Sequence, residues 1–340
     1  MKKQKLVVSL ILLLLSCKKE STNTSNDPTN SQTDVYVVGG QEINGFVYGY
    51  WKNGQFITFP DCGGTTSIAV EGNDVYVAGV GQSNFRTVAK YWKNGQAIVL
   101  SDSTTDGAWA CAYSIAVVGS DVYVAGIQEI WNVPVAKYWK NGQATALPNN
   151  TYQVELHAMA VSGNDVYVAG GEYQGPNWGA RYWKNGQNIA LTDGTKTAAI
   201  AYAIAVDGND VYVAGGESNA SQRDVAKYWK NGQEIALTDG TIDAWASSIA
   251  VVGSDVYVAG REGGIAKYWR NGQVIALTDG TSYAESTSIS VVGSDVYVAG
   301  FEYDASLTVR TAKYWKNGPA VALSDGTKDA NVSQILVVRR

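Results

Sequence analysis

A module of about 40 to 47 residues, repeated seven times, constrains this chain more than any other feature, because repeats of that length stack into one continuous core. DVYVAG or a variant of it starts at Asp34, Asp74, Asp121, Asp165, Asp210, Asp255 and Asp295. Each copy is followed by YWKNG or YWRNG, with tyrosines at Tyr50, Tyr91, Tyr138, Tyr182, Tyr228, Tyr268 and Tyr314.

Every module offers four short apolar runs, a to d, seen in the sixth copy as SIAV, DVYVAG, AKYW and QVIAL, with turn signals between them. The link from c to d is Asn-Gly in all seven copies, at Asn53, Asn94, Asn141, Asn185, Asn231, Asn271 and Asn317. That dipeptide favours a two-residue hairpin turn in which both positions have positive φ. The a-to-b links, such as Gly253-Ser254 and Gly72-Asn73, are equally short. A content of 37 glycines and 32 Trp or Tyr among 340 residues suits tight turns and aromatic strands.

Adjacent Tyr and Trp in strand c point to opposite faces of a sheet, as do Val256 and Val258 against Tyr257 and Ala259 in strand b. A sheet apolar on both faces must lie between two others. Pro319 replaces glutamine at the start of strand d in the last copy, which places d at the outer edge and a along a central channel. The repeats begin with strand b at Asp34 and end with a lone strand a, Gln334 to Val338. The predicted fold is therefore all-β: a seven-bladed β-propeller of four-stranded antiparallel blades, closed by the C-terminal strand pairing into the first blade.

Over residues 34–338 this pattern resembles kelch and WD repeats in architecture only, because there is no WD dipeptide and YWKNG is not the kelch glycine pair. It is similar to a group of bacterial lipoproteins with tandem YWKNG repeats, a resemblance that brings no activity with it. MKKQKLVVSLILLLLSC has the basic start and short apolar run of a secretory signal. Its last residues, Leu14, Leu15, Ser16 and Cys17, resemble the lipobox of bacterial lipoproteins. The resemblance implies a signal peptide over 1–16, removed before Cys17, and a lipid thioether on the Cys17 sulfur. Lys18 after the cysteine favours the outer membrane in that family, and Lys18, Lys19 and Glu20 are similar to the export signal of surface-displayed lipoproteins. Residues 17–33 then form a lipidated, polar tether with too few apolar groups to fold, and 34–340 form the propeller.

Net charge is -5, and -8 without residues 1–16 (23 basic against 31 acidic). This argues against nucleic acid as a partner, since phosphates demand a basic surface. His157 is the sole histidine, so multi-histidine metal sites lack ligands. No G-x-S-x-G or H-E-x-x-H motif is present, and no cofactor or metal is expected. Acids recur after strand d at Asp61, Asp102, Asp193, Asp239, Asp279 and Asp325, with Asn149 in that place after the third copy. Asp-Gly is a turn signal first and a calcium ligand only secondarily. Cys62 and Cys111, in consecutive d-to-a joints of an exported protein, are candidates for a disulfide.

Sequence varies in the b-to-c and d-to-a joints, which share one end of each blade, and loops on a rigid scaffold carry recognition. The candidate ligand-binding residues are Trp109, Trp131, Tyr173, Trp178, Trp245, Tyr283 and Tyr303, since exposed rings stack on sugars or anchor proteins. The seven YWKNG tryptophans belong to packing: burying roughly 200 Å² at about 25 cal/mol/Å² stabilises each by about 5 kcal/mol gross. The expectation is a monomeric, non-enzymatic surface lipoprotein that binds a glycan or protein, anchored in outer-membrane lipid through Cys17. One alternative is a polysaccharide hydrolase or lyase with Glu172, Glu217 or Asp243 as general acid and base. Another is a periplasm-facing scaffold in envelope assembly.

Overall fold

The computed structural model describes residues 33–83, 86–101, 109–130, 133–148, 153–175, 177–193 and 198–340. The signal peptide, Cys17, nearly all of the tether, Asp102, Trp131, Asn149 and Tyr152 lie outside them. Among the described residues every regular element is a strand. The strands form seven four-stranded antiparallel sheets, each ordered a-b-c-d. In blade 6 these are Ala244–Val252, Asp255–Glu262, Ile265–Arg270 and Gln273–Ala276. Blade 1 takes its strand a, Ala330–Arg339, from the C-terminus and its strand b, Thr33–Glu42, from the start of the ring. These two pair from Thr33↔Arg339 to Gln41↔Ala330, which closes the circle as the sequence predicts.

The alternation within DVYVAG produces two unlike faces that fit one another. Tyr257, Ala259 and Tyr268 of blade 6 pack against Ala284, Ile289, Val296, Val298 and Trp315 of blade 7. On its other face, Val256, Val258 and Trp269 of blade 6 meet Tyr212, Ala214 and Tyr228 of blade 5. The same Tyr/Ala-on-Val/Trp match recurs at the closing interface, where Tyr297 and Ala299 of blade 7 meet Val37, Trp51 and Ile335 of blade 1. All seven YWKNG tryptophans are at most 2% exposed, in keeping with a packing role.

The most repeated polar letters lock the narrow turn face. Each Asn of Asn-Gly has φ between 49° and 52°. Its Oδ1 accepts the amide of the second residue of strand b, as at Val166 and Asn185 (2.8 Å), and its Nδ2 donates to the Asp that opens strand b, as at Asp165 (2.7 Å). The basic residue before it reaches the same Asp, as in Lys184–Asp165 at 2.9 Å, while lying over the Tyr167 ring. Lys93–Asp74, Lys140–Asp121, Lys230–Asp210 and Arg270–Asp255 repeat the arrangement.

Strand a, nine or ten residues in every blade, is longer than SIAV and carries a β-bulge. In blade 6 the register shifts between Ala246 and Ser248, so Ser247 is unpaired. The glycine of DVYVAG makes this possible. A Cβ on Gly260 would lie 1.8 Å from the Trp245 carbonyl oxygen, and the matching glycine in the other blades meets the same obstruction at 1.9 to 2.2 Å. The glycine thus admits a backbone approach that no side chain allows.

Two outcomes follow from this architecture. Gly260→Ala is expected to destabilise the ring by about 2–4 kcal/mol in chemical denaturation, whereas Gly253→Ala, at φ +59° in open space, should cost only about 1 kcal/mol. For pH, bonds from the basic partner, and then from the turn Asn, hold Asp74, Asp121, Asp165, Asp210 and Asp255 below the ordinary carboxylate range. At Asp34 and Asp295 the Asn bond comes first. A depressed folded pKa stabilises above the unfolded value, near 3.9, and that gain is lost as pH falls through the folded one. The urea midpoint should therefore drop below about pH 4, and replacing Asp74 and Asp165 together by Asn should flatten the drop.

Candidate functional site

The seven bulges place seven unpaired residues around the central channel: Ser333, Thr66, Tyr113, His157, Tyr202, Ser247 and Thr287, in blade order. All seven line one cavity of about 180 Å³ on the axis. Each is a hydroxyl or imidazole group. His157 occupies the place taken by Tyr113, Tyr202 and Ser247 in other copies. It sits within strand a (Val154–Ser162), at the bulge.

Four of these groups donate to backbone carbonyls, three of them across to the next blade. Thr66 Oγ1 donates to the Ala78 carbonyl in its own blade at 3.2 Å or to the Ala112 carbonyl of the next at 2.9 Å. Ser247 is placed likewise with the Ala259 and Ser286 carbonyls, at 3.1 and 2.6 Å. Thr287 bonds to Ala299 and Ser333 to Thr65. His157 and Tyr202 differ. Their rings lie 5.0 Å apart; His157 Nε2 is buried without a hydrogen-bond partner, 3.5 Å from Glu155 Oε2. Burial, with lesser contributions from Glu155 and Asp224, pushes the Tyr202 hydroxyl up to about 12, so it stays protonated at neutral pH.

Period-2 alternation puts the residues two positions upstream of the bulges on the same face, at the channel mouth. In blades 6 and 7 these are Trp245 and Glu285. With Tyr202, Ser247, Gly260, Arg261 and Ser286 they form a pit of about 230 Å³ that shares Tyr202 and Ser247 with the channel. The Trp245 ring stands edge-on to Tyr202 at 5.8 Å. Arg261 Nε lies 2.9 Å from Glu285 Oε1 as an ion pair, and the Tyr283 hydroxyl donates to the same oxygen. Arg261 also lies over the Tyr283 ring. Neither Glu285 Oε2 nor the Arg261 Nη atoms have a hydrogen-bond partner among the described residues. Outward, Tyr283, Glu285, Phe301, Tyr303 and Leu307 line a second hollow of about 410 Å³, where Tyr303 is edge-on to Tyr283 and to Phe301 at 5.7 Å each.

The structure thus gathers Trp245, Tyr283 and Tyr303 into one surface over blades 6 and 7. Trp245 lies within strand a rather than on a loop. Tyr173 and Trp178 form a separate edge-on pair, opposite one another at the end of the b–c hairpin of blade 4. Trp109 is 37% exposed just before strand a of blade 3, Ala110–Val118. Sequence reading passes over Arg261, Glu285, Glu155 and the bulge ring. The available signal was a polar residue at the same offset before SIAV in every copy.

The carboxylates nominated for acid–base chemistry are engaged elsewhere. Glu172 is fully buried against Arg181 at 2.8 Å. Glu217 is buried with Lys227 at 2.7 Å. Asp243 accepts from Arg223 and the Asp224 amide. Of the Asp-Gly acids, Asp239, Asp279 and Asp325 each accept the amide and hydroxyl of the Thr two residues on, the side-chain turn expected of such sequences. Among the described residues no three His, Cys, Asp or Glu side chains gather as a metal site.

Cys62 and Cys111, the candidates for a disulfide, are unbonded in the structure. Cys62 packs beside the blade 1–blade 2 core, whereas Cys111 is buried in strand a of blade 3, its thiol donating to the Ala112 carbonyl.

No family model and no curated protein sequence matches the chain. Among solved structures it is similar to an acylaminoacyl peptidase from Pyrococcus horikoshii, with 13% identity and a TM-score of 0.52 over 88% of this chain and 52% of the peptidase. The chain thus spans about half the length of that protein. It is also similar to a Mycobacterium tuberculosis puromycin-hydrolyzing peptidase (13% identity, TM-score 0.41, 76% of this chain and 52% of the other). The polysaccharide lyase Uly1 aligns at 12% identity and a TM-score of 0.44, over 76% of this chain and 77% of the lyase. At such identities the likeness is one of fold.

Burial pushes both the Cys62 and Cys111 thiols up to about 11. With Cys17→Ser protein, free of reductant, a thiol reagent at about pH 8 should react slowly with the native ring. In strong denaturant it should release two equivalents, and none would establish the disulfide.

Proposed function

We propose that this chain is a non-catalytic binding protein, held to an outer membrane through lipidated Cys17, that takes a glycan on the variable-loop face of its propeller. The observation that carries the reading is the pit at the channel mouth. There a half-buried tryptophan stands beside an Arg–Glu pair with free hydrogen-bonding atoms. Sugars present apolar C–H faces and dense hydroxyls, and such a surface meets both needs. A protein anchor would be served better by a dry apolar pocket. The pairing of Thr33 with Arg339 puts the start of the ring on the Asn-Gly turn face, at the opposite end of the blades from the variable joints.

A catalytic reading of the same pit draws on His157 beside Tyr202, with Glu155 and Glu285 near them. Against it, Tyr202 holds its proton too firmly to act as a base at neutral pH. Full-length protein should bind members of a glycan array without releasing new reducing ends or unsaturated products on long incubation; either product would establish the enzyme instead. Trp245→Ala should weaken that binding by roughly tenfold or more, with an unchanged far-ultraviolet circular dichroism spectrum. Protease treatment of intact cells should cleave the protein if it faces outward and spare it if it faces the periplasm.

A further inference from the structure

Resting on the glycan reading, we infer that the pit engages the end of a neutral oligosaccharide, with the terminal sugar lowered toward the channel, rather than the middle of a chain. Three observations lead there. The first is the shape. The pit opens inward onto the axial cavity through Tyr202 and Ser247, and all seven inner strands wall that cavity. Outward it continues across Glu285 and Tyr283 to Phe301, Tyr303 and Leu307 near the rim. A chain lying along this path has one end at the axis and the other in solvent.

The second observation is the set of polar atoms left open at the inner end. Arg261 has two Nη groups and Glu285 an Oε2 without hydrogen-bond partners among the described residues, donors and an acceptor in one pit, which suits a vicinal diol that gives one hydrogen and accepts another. Deeper still, no hydrogen bond engages the Tyr202 hydroxyl among the described residues, and His157 Nε2, 3.5 Å from Glu155 Oε2, is buried without one; a terminal sugar carries a hydroxyl that an internal one has spent in its linkage. Buried polar atoms of this kind reject a ligand that cannot satisfy them.

The third is charge. The mouth carries Glu155 and Glu285, and its guanidinium, Arg261, is already paired with Glu285. An acidic sugar would meet two carboxylates with no unpaired cation between them among the described residues. Trp245 supplies the flat platform for the sugar ring, and Tyr283 and Tyr303 supply further ring faces for the sugars that follow.

The test measures binding of the full-length protein to linear neutral glucans, galactans, mannans and xylans of about six units, the size a groove of several sugars accommodates. Cyclic glucans of matching linkage, which have no ends, are run beside them. Linear ligands should bind and their cyclic counterparts should be at least about tenfold weaker. Glu285→Gln and Tyr202→Phe, which keep side-chain shape, should each weaken linear binding about 10- to 100-fold. Equal binding of linear and cyclic glucans, or indifference to both substitutions, overturns end recognition while leaving the glycan reading standing. No binding by any neutral or acidic glycan, with capture by a protein instead, overturns both.

Discussion

The whole ring depends on each blade having two different faces. A Tyr/Ala face of one blade fits the Val/Trp face of the next, so every interface is head-to-tail, and a head-to-tail contact is satisfied everywhere only when rotation closes on itself. Blade 1 completes that closure by joining the two ends of the repeat region in one sheet. The final interface buries the same kinds of side chain as the others, including Trp51 and Ile335. The sheets need no outside partner for their faces, and the apolar content of the strands is consumed internally.

That arrangement separates scaffold from recognition. The b-strand glycine and the bulge it admits fix where the a-strand backbone runs, independently of what the bulged side chain is. Serine, threonine, tyrosine and histidine therefore occupy equivalent positions around the axis in one chain. Four of them close hydrogen bonds between and within blades, and His157 and Tyr202 are left facing the cavity with open polar atoms.

Much of this was legible in the sequence, and the losses have physical causes. Asn-Gly fixed the hairpins, since its φ values admit few alternatives, and Pro319 correctly marked the outer strand, which begins just after it at Ala320 and runs to Ala322. The two-residue period predicted the two-faced sheet. A bulge breaks that period, so the upper part of strand a read as loop and Trp245 was placed there. Strand b also runs past DVYVAG. Glu172 and Glu217 looked like loop acids but lie inside the sheet, ion-paired with a basic residue of strand c two positions along from their register partners. The cluster of Asp, Asn and Lys on the turn face was visible in every copy as three recurring polar letters, but its geometry required knowing that the start of strand b and the end of strand c are neighbours.

Thr33–Glu42 carries a mechanical consequence. Unlike an edge strand, it is hydrogen-bonded on both sides, to Ala330–Arg339 and to Phe46–Lys52. A load applied through residues upstream of Thr33 enters along the strand's own axis and must slide it past two ladders at once, instead of peeling one ladder a bond at a time. The same seam that makes the circle therefore sets how hard the circle can be pulled.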